Sequence, residues 1–231
     1  MKKQLLCGLA LLAAGALSFA GDAAAFVDIG LSSDGKTYVF GEYGKTDRSF
    51  QGYAEIYTVD IEKNDFVTGG VFRTQPSGAT VSKSGKTVFD ELCAKAGWAL
   101  RKYDCKPAAA ENLLYVREDE GKSEFSFKDF EGSSAGQNVF YHINVVTSVE
   151  GSGPACRSSF FIALTKETES GQVLSRNTVG NPGVKRKGVS GYKIDRIFSD
   201  KTGRNLVFVI EKTVRDDTGT SIRYMVETIR L

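Results

Sequence analysis

Hydrophobic and polar positions alternate with a period of two over much of the chain, which is the pattern of half-buried β-strands. Val139, Tyr141, Ile143 and Val145 form the clearest such run, and a second run carries apolar residues at positions 160, 162 and 164. Other segments rich in β-branched and aromatic residues cover positions 37–40, 55–61, 113–116, 125–127, 206–212 and 222–231. The pattern predicts a mainly β protein built from antiparallel hairpins and sheets.

Turn residues divide these segments. Lys63-Asn64-Asp65 and the run at 216–219 are typical of hairpin turns, and Gly69-Gly70 is expected to end one strand before Val71 begins the next. The polar stretch at 166–188, which contains Asn181-Pro182-Gly183, predicts a long exposed loop.

One segment has helical periodicity instead. Apolar residues recur three and four positions apart through Phe89, Leu92, Ala96 and Ala99, and Pro107 follows the last of them. Thr87 followed by Asp90 resembles a capping box. The spacing predicts one amphipathic helix over residues 87–103.

The start and the end of the chain are similar to each other. Each has an apolar lead-in, Ser-Asp, a glycine turn and a Val-Phe strand: FVDIGLSSDGKTYVFGEYG near the beginning and YKIDRIFSDKTGRNLVFVIEK near the end. Both stretches resemble blades of TolB-type propellers, so we expect the two terminal hairpins to lie adjacent in one domain. A small β-propeller is the alternative, although only two clean copies of the repeat are visible.

The first 25 residues have the organisation of a signal peptide. Lys2 and Lys3 precede an apolar stretch, and small residues suited to a peptidase follow at 18–20 and 23–25. The apolar stretch is too short for a stable bilayer span. We therefore expect a leader at 1–25, cleaved before Phe26, and a single β-rich secreted domain at 26–231, with no membrane span after cleavage.

Charge and composition limit the partners. Basic and acidic residues nearly balance, with 30 Lys and Arg against 28 Asp and Glu, and this balance gives no electrostatic reason to expect nucleic acid or an anionic membrane as a partner. The short basic run Lys185-Arg186-Lys187 is a candidate contact loop for an acidic partner, although most runs of this kind are solvated.

Three cysteines would remain after cleavage. A helix that runs from Cys93 to about Tyr103 would hold Cys93 and Cys105 too far apart for a disulfide, which needs Cα atoms within roughly 7 Å. Export favours disulfides, so Cys105–Cys156 is the pairing we prefer. Three free thiols are an equally good interpretation.

Catalytic motifs are incomplete. Residues 132–136 match G-x-S-x-G, but a strand pattern follows where a nucleophile elbow needs a helix, and His142 is the chain's single histidine. The Ser84-Gly85-Lys86-Thr87 stretch resembles the end of a phosphate-binding loop, but Thr80 stands where its first glycine should be. Zinc spacings are missing too. We expect no catalytic residue, no cofactor and no metal site.

A family resemblance agrees with export. The stretch FVDIGLSSDGKTYVFGEYG, the segment AEIYTVDIEKNDF and the C-terminal residues 185–231 resemble a family of predicted secreted bacterial proteins of unknown function. The resemblance implies a single exported domain, periplasmic or extracellular, and transfers no activity, cofactor or site residue.

The leading hypothesis for function is a non-enzymatic binding or scaffold protein that uses loops or a sheet edge. Its partner would be an envelope protein or a glycan. The alternatives are a carboxylate-dependent glycan hydrolase, whose mark would be paired carboxylates in one cleft, and a small propeller adaptor.

Overall fold

Three antiparallel sheets and one α-helix stack as successive layers. The computed structural model describes residues 22–118 and 122–231, and the predicted leader up to residue 21 lies outside them. The helix is α1 (Gly85–Leu100), and short 3-10 turns occupy Gly78–Thr80, Arg101–Tyr103, Ala110–Asn112 and Gly153–Ala155. The strands are β1 (Ala25–Leu31), β2 (Thr37–Lys45), β3 (Gly52–Asp60), β4 (Asp65–Thr74), β5 (Leu113–Val116), β6 (Glu124–Lys128), β7 (Val139–Glu150), β8 (Arg157–Thr168), β9 (Val173–Val179), β10 (Arg186–Lys187), β11 (Val189–Ser199), β12 (Asn205–Asp216) and β13 (Gly219–Arg230).

Each sheet draws on one part of the chain. The N-terminal sheet has the order β1-β2-β3-β4, and the mid-chain sheet has the order β10-β8-β7-β6 with β9 also on β8. The C-terminal sheet has the order β13-β12-β11-β5. All the strand pairs are antiparallel, because short hairpin turns join most consecutive strands.

Three apolar clusters hold the layers together, since burial of apolar surface is the main force that packs one layer on the next. The helix packs through Phe89 and Leu92 on one face of the N-terminal sheet. The other face of that sheet packs through Phe40 on Val207 of the C-terminal sheet. The opposite face of the C-terminal sheet, including Phe208, packs on the mid-chain sheet.

The prediction of a mainly β fold with antiparallel sheets is confirmed, and the terminal hairpins are adjacent as expected. They stack face to face in separate sheets, with the Phe26 and Tyr224 ring centroids 5.4 Å apart. Within the described residues, the buried clusters join the sheets in a row and none joins the N-terminal sheet to the mid-chain sheet. A propeller closes its sheets into a ring around an axis, so the propeller alternative does not describe this arrangement.

The helix begins slightly before its predicted start. Ser84, and not Thr87, is the N-cap residue, because its side-chain oxygen accepts a hydrogen bond from the Thr87 backbone N–H at 3.0 Å. The α-helix ends at Leu100, and the predicted last turn is the 3-10 turn Arg101–Tyr103.

Two predicted loops or breaks are strands. Strand β4 continues through Gly69-Gly70, where a register shift in its pairing with β3 absorbs the irregular backbone. The stretch predicted as a long exposed loop contains β9 and β10. Most residues of β9 are exposed, so the strand lacks the apolar alternation that would reveal it in the sequence.

The outer edge of β13 is covered by the N-terminal half of the chain. The Ile222 N–H donates to the Asp22 carbonyl at 2.9 Å, and the Tyr224 N–H donates to Glu42 Oε2 at 2.6 Å. The Thr228 N–H donates to Asn64 Oδ1 at 2.6 Å. These contacts satisfy backbone groups that an edge strand would otherwise leave open to pairing with another chain.

Asn64 is the turn residue of this edge. Its backbone is left-handed, with φ of 51°, a conformation that asparagine tolerates better than most residues. Its amide nitrogen donates to the buried carboxylate of Glu227, while its Oδ1 also accepts from the Thr228 hydroxyl at 3.1 Å. One side chain therefore joins the β3–β4 turn to β13.

We predict that Asn64→Ala lowers the free energy of unfolding by about 2–4 kcal/mol, because it leaves the Thr228 N–H and the Glu227 carboxylate without this partner and strains the turn. Urea unfolding measures the effect. The matched control is Asn181→Ala in an exposed turn, where Asn181 Oδ1 accepts only the Gly183 N–H. Equal losses in the two variants would contradict the assignment.

Glu42 is a carboxyl group buried between two sheets. Its side chain follows Tyr38 and Phe40 on the inward face of β2 and is 2% exposed. Burial raises the pKa of Glu42 to about 7, although the positive charge of Lys212 and the Tyr224 N–H both act to lower it. The same burial lowers the pKa of Lys212.

The raised pKa makes stability depend on pH. A carboxyl group that titrates near 4.5 when unfolded and near 7 when folded binds more protons in the native state. The contribution of the Glu42 carboxyl group to the free energy of unfolding is therefore complete below pH 4.5 and is lost as the pH rises through 7.

We predict that Glu42→Gln matches the wild type at pH 4.5 and is more stable by up to about 3 kcal/mol at pH 8. Urea unfolding at both pH values measures this, and exposed Glu111→Gln should show no such difference.

The contacts of Asp22 bear on where the leader is cut. Its carboxylate forms an ion pair with Arg223 and accepts from the Tyr53 hydroxyl at 3.2 Å, and the Ala24 N–H donates to the Ile222 carbonyl at 3.1 Å. Cleavage before Phe26 would remove these partners and leave the mostly buried guanidinium of Arg223 without its carboxylate, which is costly. We therefore expect cleavage after Ala20, the earlier of the two sites, so that the exported chain begins at Gly21. Intact-mass measurement of the exported protein distinguishes the two, and a chain beginning at Phe26 would contradict this prediction.

Candidate functional site

The two similar Ser-Asp turns of the sequence meet at one cleft. The first turn joins β1 to β2, and its Asp34 carboxylate accepts from the Ser32 hydroxyl at 2.7 Å and from the Lys36 N–H at 3.1 Å. Gly35 has φ of +67°, which the tight turn requires. The hydrogen bond from Ser32 is the main cause that lowers the pKa of Asp34. The Asp34 carboxylate therefore stabilises the turn.

The second turn joins β11 to β12 and has the same chemistry. Asp200 Oδ1 accepts from the Arg204 N–H at 2.9 Å and from the Asn205 N–H at 3.2 Å. Gly203 has φ of +64° and donates its N–H to the Asp200 carbonyl at 3.1 Å. Each turn is thus folded by its own aspartate.

Asn205 links the two turns. Its amide nitrogen donates to the Gly35 carbonyl at 3.0 Å and to Asp200 Oδ2 at 2.9 Å. The side chain is 7% exposed and borders the cleft, and its Oδ1 accepts no hydrogen bond from the residues that the structure describes. A buried amide oxygen of this kind is an acceptor left open beside the cavity.

A connector between α1 and β5 forms the third wall. The Leu31 and Lys106 backbones exchange two hydrogen bonds, each of 3.0 Å, and the Ala108 N–H donates to Asp28 Oδ2 at 2.9 Å. Gly30 is required here, because a Cβ on it would lie 1.8 Å from the Lys106 carbonyl oxygen. These contacts fix the connector against β1.

The resulting cavity has a volume of about 510 Å³, which is within the range of ligand sites. Leu31, Ile61, Pro107 and Ala108 supply apolar lining, and charged side chains surround it. We call this space, between the turns at 32–36 and 199–205 and the connector at 104–112, the turn cleft.

Five cations and four carboxylates line the turn cleft. Lys36, Lys106, Lys201 and Arg204 are exposed and form no ion pair with the described residues. Two further charged groups, those of Arg230 and Glu62, lie 3.9 Å apart. Asp34, Asp104 and Asp200 also line the cleft and form no ion pair with the described residues. The carboxylates of Asp34 and Asp200 accept hydrogen bonds within their own turns, which leaves Asp104 as the carboxylate facing the four cations without such bonds. An anionic ligand with an apolar part therefore suits the cleft.

The predicted contact loop lies elsewhere. Lys185 pairs with Glu150 at 2.7 Å. Arg186 lies against the Phe160 ring, 5.2 Å from its centroid, and 3.5 Å from the Glu227 carboxylate. Arg186 therefore joins the mid-chain and C-terminal sheets from within β10. Only Lys187 of the three is exposed without a partner among the described residues.

Cys93, Cys105 and Cys156 are free thiols in the structure. Cys105 packs at the helix side of the N-terminal sheet, and burial raises its pKa to about 11. Cys156 is buried with its Sγ 3.4 Å from the Val189 carbonyl in the C-terminal sheet. The structure does not bring Cys105 and Cys156 together as a disulfide.

His142 lies between two possible proton-transfer partners. Its Nδ1 is 2.8 Å from the Ser126 hydroxyl and its Nε2 is 2.9 Å from Glu167 Oε1. These side chains stand on neighbouring strands of the open face of the mid-chain sheet, and none of them lines the turn cleft. A serine nucleophile also needs a bound acyl group and aligned oxyanion donors, which an open sheet face does not supply.

The G-x-S-x-G stretch is a loop between β6 and β7. The Ser133 hydroxyl donates to the Asp129 carbonyl at 2.6 Å and accepts from the Val139 N–H at 3.0 Å, and Ser134 pairs with Gln137 in an exposed turn. The predicted strand follows it, as β7. The motif therefore closes a hairpin.

Within the two described stretches, no helix is long and apolar enough to cross a bilayer, and no three metal-ligating side chains form a group that could hold an ion.

Sequence reasoning missed the turn cleft, although its signal was present. The Ser-Asp-glycine turns at both ends were recognised as similar, but their meeting depends on how the two sheets stack, which periodicity does not report. The connector at 104–112 carries no such pattern.

Comparison with protein families supports the resemblance noted in the sequence. Residues 39–230 match the family described as Predicted secreted protein (DUF2259), so the match covers α1, the connector and the second Ser-Asp turn. The comparison with curated proteins gives no match, and the comparison with solved structures gives none. Because the matched region covers far more than half of the chain, the protein belongs to this family of predicted secreted proteins, DUF2259.

Proposed function

We propose that this exported protein is a non-enzymatic binding protein that holds an acidic segment of a partner polypeptide in the turn cleft. The observation that carries the proposal is the combination, in one cavity of about 510 Å³, of apolar lining with four unpaired cations. The secreted family and the β-rich fold are consistent with a partner in the envelope, periplasmic or extracellular.

The cleft is suited to binding because its walls are built before a ligand arrives. Asp34 and Asp200 fold their own turns, Asn205 joins the turns, and the Leu31–Lys106 backbone pair holds the connector. A site fixed in this way costs little ordering when a ligand binds. The lysines and Arg204 are exposed long side chains, which can adapt to carboxylates at different spacings.

A carboxylate-dependent glycan hydrolase receives less support. A general acid needs a carboxyl group of raised pKa in the cleft. The pKa of Asp34 is lowered, whereas the carboxyl groups of raised pKa, Glu42, Glu227 and Asp28, pack at the interfaces of the sheets.

A direct test measures binding of a short fluorescein-labelled peptide that alternates Glu and Val, by fluorescence anisotropy. We expect this peptide to bind, and a matched peptide that alternates Lys and Val to bind at least tenfold more weakly, because unpaired cations border the cleft. Lys106→Glu should weaken binding of the Glu–Val peptide by about tenfold, a loss of ~1.4 kcal/mol.

The matched control is Lys45→Glu, which makes the same charge change at an exposed lysine outside the cleft. This control should leave the affinity within about twofold, because salt screens a charge that lies more than about a Debye length, ~10 Å at 0.1 M salt, from the bound peptide. Equal effects of the two variants would show a general charge effect and refute the cleft as the site. If an oligogalacturonate binds more tightly than the Glu–Val peptide, the partner is an acidic glycan and not a polypeptide.

A further inference from the structure

The chain's single tryptophan stands in the open. Trp98 is 72% exposed and lies near the end of α1, while Phe89, Leu92 and Ala96 of the same helix are buried against the N-terminal sheet. A tryptophan buries more apolar surface than most residues when it is covered, so this exposure is unusual. Packing within the chain does not account for it.

Three cations lie close to Trp98 along the chain. Lys95 precedes it by three residues on α1, the spacing of neighbours on a helix surface, and Arg101 and Lys102 follow it in the 3-10 turn that continues the helix. All three are exposed and form no ion pair with the described residues, although the Lys102 ammonium lies 4.6 Å from the Tyr103 ring centroid. We call Lys95, Trp98, Arg101 and Lys102 the Trp98 patch.

The acidic residues of the helix do not offset these charges. Asp90 is bound by Lys86 at 2.7 Å, and Glu91 is bound by Lys83 at 2.6 Å. Both pairs lie toward the beginning of the helix, so at its end the three cations outnumber Asp104, the exposed carboxylate that follows them in the chain. Cations there also stabilise the helix by interacting with its dipole, but that interaction gives no reason for an exposed indole.

The shape of this face favours a lipid surface over a rigid protein partner. The helix is the outermost layer on its side of the sheets, so the Trp98 patch is convex and offers no groove for a rigid partner. An indole flanked by lysine and arginine is suited to the boundary of a bilayer, where the ring enters among the headgroups and the cations meet lipid phosphates.

We propose that the Trp98 patch docks this exported protein reversibly on an anionic phospholipid surface. The docking needs no spanning helix and is independent of the turn cleft, whose residues it does not use. Positive charge gives attraction to anionic headgroups, about fivefold in affinity per cation, and Trp98 adds apolar contact.

Trp98 reports on its own environment, because no other tryptophan contributes to emission. The test adds vesicles of phosphatidylglycerol and phosphatidylcholine to the purified chain. We expect the emission to move to shorter wavelength, the shift to disappear in high salt, and vesicles of phosphatidylcholine alone to cause none. Vesicle sedimentation measures the affinity separately.

Variants then locate the contact. Lys95→Glu and Lys102→Glu should each lower the affinity for anionic vesicles, measured by sedimentation, by at least fivefold. Trp98→Ala should also lower this affinity, although the substitution leaves the net charge of the protein unchanged. Lys45→Glu, which alters an exposed lysine outside the patch, should stay within twofold of the wild type. Circular dichroism checks that α1 remains folded in each variant.

Three results would overturn the proposal: no wavelength shift with anionic vesicles, equal binding to neutral vesicles, or a loss of binding as large for Lys45→Glu as for Lys95→Glu. A shift produced by polyglutamate but not by vesicles would assign the patch to an acidic protein and would likewise overturn it.

Discussion

The fold depends on how the outer edge of β13 is satisfied. This strand ends the C-terminal sheet, and its outward N–H groups would be free to pair with another chain. The N-terminal half supplies three acceptors of different kinds: the Asp22 carbonyl, the Glu42 carboxylate and the Asn64 amide oxygen. Because the three donors lie along one strand, β13, the hydrogen bonds set both the position and the direction of the N-terminal sheet. Apolar burial between the sheets then adds stability to an arrangement that the hydrogen bonds have already specified.

This edge also explains why polar groups are buried where they are. Glu42 accepts a hydrogen bond that no apolar residue could accept, and its raised pKa is the consequence of placing that acceptor between two sheets. Glu227 is in a similar position, since burial raises its pKa while Asn64 donates to it and Arg186 approaches it. Carboxyl groups with shifted pKa values often indicate catalysis, but here each has a structural partner across a sheet interface. Specific pairing of the layers is the role that these contacts support.

The sequence predicted local structure where one face of an element is buried. The alternation through Val139, Tyr141 and Ile143 is the buried pattern of β7, and the spacing of Phe89 and Leu92 is that of α1. Strand β9 escaped prediction because its less exposed face carries the polar residues Ser175 and Asn177, so no alternation of apolar and polar residues exists to be read. The turn cleft escaped for a different reason: Gly35 and Asn205 are 170 positions apart in the chain, and only the stacking of two sheets joins them. Periodicity reports which face is buried and not what covers it.

One connected piece of chain carries the Trp98 patch and the connector wall of the turn cleft. The helix delivers Trp98, Arg101 and Lys102 to its outer surface, and the residues that follow turn through Asp104, whose φ is 46°, into the wall of the cleft. The Leu31–Lys106 backbone pair separates the two regions mechanically, since it fixes the connector to β1 between them. A substitution in the patch should therefore leave the geometry of the cleft intact, because the disturbance would have to pass through two backbone hydrogen bonds held against the close approach at Gly30. Two surfaces on one short segment can in this way be altered independently, since a rigid backbone contact lies between them.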